Sequence, residues 1–217
     1  MKYFLGIDVS TTASKAIIID ETGAVVATHS VLHESFSVPG KPLWSEQDPE
    51  MWWTATSTSI KAVLDSVSSS VSPSEIKCVS LTGQMQGLVV LDKNYKPLRP
   101  AILWNDQRSS EECVEIEKEL GKAFLCQHIG TKILPCHLAP KLMWIKKNQR
   151  AVFDKAAYVS TPKDYVRFRL SGADKETGKL IVDASDAGGF AMMDVSNRIW
   201  SSKILEKLNI PQNWLPI

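Results

Sequence analysis

Residues 2 to 9 and 14 to 20 are short runs rich in β-branched and aromatic side chains, separated only by Ser10-Thr11-Thr12-Ala13. A connection that short between two extended runs predicts a hairpin. Asp20-Glu21-Thr22-Gly23 then supplies turn chemistry, and Ala24-Val25-Val26-Ala27-Thr28 resumes the extended pattern. The chain therefore opens as a three-stranded antiparallel meander, whose apolar side must be covered by later elements.

The next element is helical. Asp48-Pro49 gives an N-cap and a proline at the first helical position, and Trp52, Thr56, Ile60, Val63 and Val67 recur at helical spacing, predicting a helix to about Ser66. The Ser-rich stretch from Ser66 to Ser74 reads as a helix-to-strand connection. Strand-like runs recur at Lys77 to Thr82, Gly87 to Leu91 and Ala101 to Trp104. Ser109-Ser110-Glu111-Glu112 has capping-box spacing and opens a helix expected to turn Cys113, Ile116 and Leu120 inward. Further helices are predicted over 139–147 and from Pro162 to Leu170, the latter stopped by Ser171-Gly172. Three antiparallel strands followed by alternating helices and strands predict an α/β fold, a mixed sheet with helices on both faces. The order fits an actin-like, ribonuclease-H-like domain.

Composition narrows the function. Among 217 residues, 25 Lys and Arg against 24 Asp and Glu give a net charge of +1, without a basic cluster for nucleic acid. The same balance disfavours a metal-dependent nuclease, which would need a basic surface beside its carboxylates. The N-terminus places Asp8 inside what would be the apolar stretch of a signal peptide, and no 18-residue apolar run occurs. Cys78, Cys113, Cys126 and Cys136 lack paired spacing. Cys126, His128, Cys136 and His137 also lack the gaps of a tetrahedral zinc site. A cytoplasmic protein with reduced thiols, and no membrane partner, is expected.

Five segments carry the chemistry. Gly6-Ile7-Asp8-Val9-Ser10-Thr11-Thr12-Ala13-Ser14-Lys15 puts a carboxylate at the end of a strand before a hydroxyl-rich turn. Alone, this is either an ordinary hairpin or a turn that meets phosphate while the acid holds a hydrated magnesium ion. The others are Pro42-Leu43-Trp44-Ser45-Glu46-Gln47-Asp48-Pro49, Gly83-Gln84-Met85-Gln86-Gly87, 98–108 with Trp104-Asn105-Asp106, and Asp183-Ala184-Ser185-Asp186-Ala187-Gly188. In type and order they resemble the FGGY carbohydrate kinases, within them the xylulokinase branch.

The resemblance implies ATP-dependent phosphorylation of a sugar or polyol hydroxyl, xylulose first, with Mg2+, in a cleft between two domains. Residues 1–217 would be the N-terminal sugar-binding domain; the C-terminal nucleotide-binding domain would be absent and the chain inactive alone. A stand-alone sugar-binding module is the alternative, and a homodimer the assembly to weigh. Carried over by motif, Asp186 is the general base, and Asp8 organises magnesium and phosphate with Thr11, Thr12 and Lys15. Met85, Gln86, Trp104, Asn105 and Asp106 would contact the sugar together with Asp186. Spacing alone leaves Asp183 and Asp186 equal, and the resemblance selects Asp186. Two departures stand out: Gln86 where xylulokinases usually carry histidine, and Ser10 where the family usually has glycine. No P-loop or Gly-x-Gly-x-x-Gly cradle for a nucleotide occurs.

Overall fold

The computed structural model describes residues 1–34, 36–172 and 179–217. The meander forms as β1 (Tyr3–Val9), β2 (Ala13–Asp20) and β3 (Val25–Leu32), followed by short strands β4 (Phe36–Ser37) and β5 (Ser45–Gln47). Helix α1 (Pro49–Ser66) crosses back to β6 (Ile76–Gly83), then come β7 (Val89–Leu91) and β8 (Ala101–Ile102). The rest is mainly helical: α2 (Ser110–Leu120), α3 (Lys122–Ile129), α4 (Leu138–Asn148), α5 (Arg150–Phe153), β9 (Tyr158–Ser160), α6 (Pro162–Leu170), α7 (Ala184–Gly188), β10 (Met193–Asp194), β11 (Ile199–Trp200) and α8 (Ser202–Leu208).

The α/β architecture is built on a mixed sheet of order β3-β2-β1-β6. Its first two pairings are antiparallel and β1 runs parallel to β6, with Asp8 opposite Lys15 on one side and Thr82 on the other. A parallel pair requires a crossover, and α1 provides it. Asp48 caps α1 through a hydrogen bond from Glu50 N at 3.0 Å, and Pro49 fills the first position, where a missing N–H costs nothing.

Leu5, Ile7, Val9, Ala16 and Ile18 of the sheet pack against Trp52 and Val63 of α1 and Phe168 of α6. α1 and α6 touch each other as well as the sheet, so both cover the same side. Elsewhere on the sheet Gly6, Asp8, Lys15, Ile17, Thr28 and Ser80 border a shallow depression of about 310 Å³. A second apolar core joins α2, α4 and α8 through Ile116, Leu142, Ile145, Ile204 and Phe190.

The helix at Ser109 starts where its sequence predicts, but no capping box closes it: Ser109 Oγ donates instead to the Pro135 carbonyl at 3.2 Å. A capping box forms at Ser72 and Glu75, where Ser72 N donates to Glu75 Oε2 at 2.8 Å. No described helix is long and apolar enough to cross a membrane.

Candidate functional site

Because β1 and β6 are parallel neighbours, their C-terminal ends lie side by side, and the turn after β1 meets the loop after β6. Between them, with Trp104 as a third wall, is a pocket of about 340 Å³. Asp8, Ser10 and Thr11 line one side, and Gly83, Gln84, Met85 and Gln86 the other.

The two sides are laced together. Thr11 Oγ1 donates to Gln84 Oε1 at 3.2 Å and accepts from Trp104 Nε1 at 3.1 Å. Gln84 Nε2 donates to Gln47 Oε1 at 3.2 Å, which also accepts from the buried Trp52 indole at 3.0 Å, while Gln47 Nε2 donates to the Thr11 carbonyl at 2.7 Å. Gln84 N donates to the Val9 carbonyl at 2.9 Å, and the Gly83 backbone runs so close to Val9 that a Cβ there would stand 2.6 Å from that oxygen. Gln84 and Gln47 therefore hold the pocket in shape, although both look like ordinary polar residues in the sequence. Their signal was position, since both lie inside the segments that carry the family resemblance.

Met85 and Trp104 stay 44% and 47% exposed, so they form a free apolar and aromatic surface beside polar groups. Such a surface suits the carbon face of a polyol. Gln86 is half-buried and turns at φ 62°; its carbonyl accepts from Lys141 Nζ at 2.6 Å. Lys141 is fully buried, also donates to the Cys136 carbonyl at 2.8 Å, and is pulled down by burial to about 7.

Asp8 lines the pocket with its side chain 36% exposed, its closest cation being Lys15 Nζ at 3.9 Å. A lightly paired, partly exposed carboxylate fits a mostly hydrated magnesium ion better than an all-protein cage would. Lys15 lies on the neighbouring strand, outside the pocket, and Thr12 is exposed without lining it. The hydroxyls of Ser10 and Thr11 are already committed, the first to the Ala13 carbonyl at 2.8 Å.

Three residues expected to meet the sugar are not among those lining the pocket. Asn105 is exposed beside it. Asp106 is completely buried: Oδ1 accepts from Arg108 N and Nε, each at 2.9 Å, and Oδ2 from Arg108 Nη2 at 2.7 Å and Ser45 N at 2.6 Å. Arg108 in turn reaches Glu46 at 2.6 Å, stacks 3.9 Å from the Trp44 ring centre, and so pins the turn carrying Trp104 to β5. Both oxygens of Asp106 are taken by protein donors, which makes it a structural anchor instead of a sugar ligand.

Asp186, the third, stands on α7 behind the Gln86 wall. A Cβ built on Gly189 would lie 2.9 Å from Gln86 Cγ and 3.2 Å from the Asp186 carbonyl, so this segment adjoins the pocket. The Asp186 carboxylate is 3% exposed; Oδ2 accepts from Thr161 Oγ1 at 2.9 Å and faces Lys163 Nζ at 3.4 Å, while the buried Oδ1 has no hydrogen-bond partner among the described residues. Burial pushes its carboxyl up, against the pull of Lys163. A buried carboxylate with one unpartnered oxygen binds a proton more readily than an exposed one, which is what a general base requires once a substrate reaches it.

Asp183 differs. It caps α7, accepting from Ser185 N at 2.9 Å and Asp186 N at 3.0 Å, and the adjacent Lys163 holds its carboxyl below the ordinary range despite partial burial. Asp164, Asp183 and Asp186 converge as metal ligands would, but Lys163 Nζ stands among them at 2.6, 2.9 and 3.4 Å. The ammonium supplies the charge that a cation would.

A sequence profile of the FGGY family of carbohydrate kinases, N-terminal domain, matches residues 3–217. The chain is 41% identical to a xylulose kinase of Klebsiella pneumoniae over 214 residues, covering 98% of this chain and 41% of that protein. The crystal structure of a xylulose kinase from Brucella ovis superimposes with a TM-score of 0.86 at 34% identity, over 99% of this chain and 42% of that one. A gluconate kinase from Lactobacillus acidophilus gives 0.85 at 26%, over 99% and 41%. The chain thus spans about two-fifths of the length of these relatives.

Proposed function

Since the chain belongs to the FGGY family of carbohydrate kinases, matching its N-terminal domain, we propose that it is the sugar-binding part of an enzyme that transfers a phosphoryl group from ATP to a ketopentose hydroxyl, xylulose first. The observation that carries this reading is the pocket itself, in which an exposed indole and thioether face amide and carboxylate groups over about 340 Å³. That volume suits a five-carbon sugar, and the donors and acceptors match hydroxyls.

In this reading Trp104 and Met85 take the apolar face of the sugar, and Gln86 hydrogen-bonds its hydroxyls. Asp186 is the base for the attacking hydroxyl, its Oδ1 buried behind the Gln86 wall and taking the proton only where that wall opens to the acceptor, while Thr161 and Lys163 hold the other oxygen in place. Asp8 stands at the lip, where it would orient a hydrated magnesium ion that neutralises phosphate charge. Phosphoryl transfer depends chiefly on positioning and charge stabilisation, so these residues hold the acceptor while the adenosine end of the nucleotide is held in the part of the longer relatives that this chain does not span. The four cysteines are all unpaired, in keeping with a cytoplasmic setting.

A thermal-shift series with D-xylulose, D-ribulose, xylitol and glycerol tests this, because a ligand of the folded state raises its apparent stability. D-Xylulose is expected to raise Tm most, and the isolated chain to show no sugar-dependent ATP turnover. A flat response to all four compounds would contradict the sugar site, and stoichiometric phosphorylation by this chain alone would contradict the division of labour.

A further inference from the structure

Gln86 sits at φ 62°, a left-handed conformation that an L side chain enters only when its surroundings hold it there. Two contacts from distant parts of the chain do so. Lys141, on α4 and fully buried, donates to the Gln86 carbonyl at 2.6 Å and to the Cys136 carbonyl at 2.8 Å, tying the loop to the second core. Gly189, just past α7, is the other. A Cβ built there would stand 2.9 Å from Gln86 Cγ and 3.7 Å from Nε2. The Gly189 backbone itself is right-handed, at φ −68° and ψ −11°, so its conformation does not demand glycine. What the missing side chain provides is the space that the Gln86 side chain fills.

We infer that Lys141 and Gly189 are positioning residues that set the pose of Gln86, and through it which sugar the pocket accepts. The inference rests on the sugar-binding reading above. It also joins two segments far apart in sequence, since the α7 segment reaches the pocket through Gly189 and Gln86.

The test uses this chain with D-xylulose as probe, in wild type, Gly189→Ala, Gln86→Ala, the double variant and Lys141→Met. Alanine suits a right-handed backbone, so Gly189→Ala should keep its Tm while shifting the Gln86 side-chain amide resonances and weakening D-xylulose binding about tenfold. In the Gln86→Ala background the same change should alter affinity less than about twofold, because the nearest atom it crowds is gone and only the 3.2 Å approach to the Asp186 carbonyl remains. Lys141→Met should remove the left-handed signature of the Gln86 Cα and Cβ shifts without ligand present. If wild type binds but Gly189→Ala has the same effect with and without the Gln86 side chain, the inference falls and the sugar reading stands. If no form binds D-xylulose, the sugar reading and the specificity claim fall together. Gln86 resonances unchanged in both Gly189→Ala and Lys141→Met overturn the pose.

Discussion

The indole N–H of Trp104 donates to the hydroxyl of Thr11 at 3.1 Å, so the aromatic wall of the pocket is fixed to the turn that follows the first strand. The same hydroxyl donates to the buried Gln84. Thr11→Val keeps the shape and removes both bonds. Trp104 is half exposed and can turn to water, whereas Gln84 cannot, so the expected loss is about 1–2 kcal/mol. Chemical denaturation measures it, and weaker D-xylulose binding should accompany it. An unchanged midpoint and affinity would mean that Thr11 does not order the wall.

Asp106 is expected to show itself in stability. Removing Asp106 from this completely buried pair leaves Arg108 with Glu46 alone and strips the Ser45 N–H of its acceptor, so Asp106→Ala should cost roughly 3 kcal/mol. Replacing Arg108 with Met in the same chain should recover part of that loss. A normal denaturation midpoint with lost sugar binding would return Asp106 to the sugar-contacting role expected from its motif.

Asp186→Asn separates a base from a merely structural carboxylate. The amide keeps the shape but cannot take a proton, so in a full-length enzyme kcat should fall by about 10² or more while sugar affinity changes little. Asp183→Asn should act the other way: its amide oxygen keeps the α7 cap, so it loses only the partly exposed pair with Lys163, worth about 1 kcal/mol or less, and spares kcat to within about tenfold. Steady-state kinetics beside thermal denaturation checks both. Greater kinetic damage from Asp183→Asn would reverse the assignment.

His137 gives the pH dependence its sign. Burial, reinforced by Lys141, lowers it to about 4 from an ordinary 6.5, and its Nδ1 accepts from Leu134 N at 3.1 Å, a bond that only the unprotonated nitrogen can accept. The unfolded chain binds this proton more readily than the folded one between those values, so the His137 contribution is complete above about 6.5 and is lost as pH falls towards 4. The loss is on the order of 3 kcal/mol. Urea denaturation across that range should show a steeper acid loss in wild type than in His137→Asn. Parallel pH profiles would mean that His137 is not held neutral by the fold.

Much of this was legible in the sequence where local chemistry and periodicity agree. Asp48-Pro49 starts α1 as expected, and Pro162 to Leu170 marks α6 to the residue. The meander was readable because each of its turns is only a few residues long. β9 was not, since three residues pair with β7 about seventy positions away and carry no periodic pattern. α3 begins after Gly121 at φ 83°, and its short apolar run gives no stripe. At the site, Met85, Gln86 and Trp104 stand out by their motifs alone, and the fold brings them to one pocket. Asp106 belongs to the same motif as Trp104 but is buried outside the pocket lining, because burial and partners, which decide whether a carboxylate serves structure or chemistry, are set by tertiary contacts. Lys141 was hidden for that reason too: in sequence it is one more lysine on an amphipathic helix.

If the pocket walled by Trp104, Met85 and Gln86 holds the sugar, calorimetric titration of D-xylulose into this chain, beside the Gln86→Ala variant, will register it. Saturable one-to-one binding is expected, weakened by about 1–3 kcal/mol in Gln86→Ala as buried polar groups lose their partner, with the folded fraction unchanged. Equal affinity in the two proteins, or no binding by wild type, would contradict the assignment.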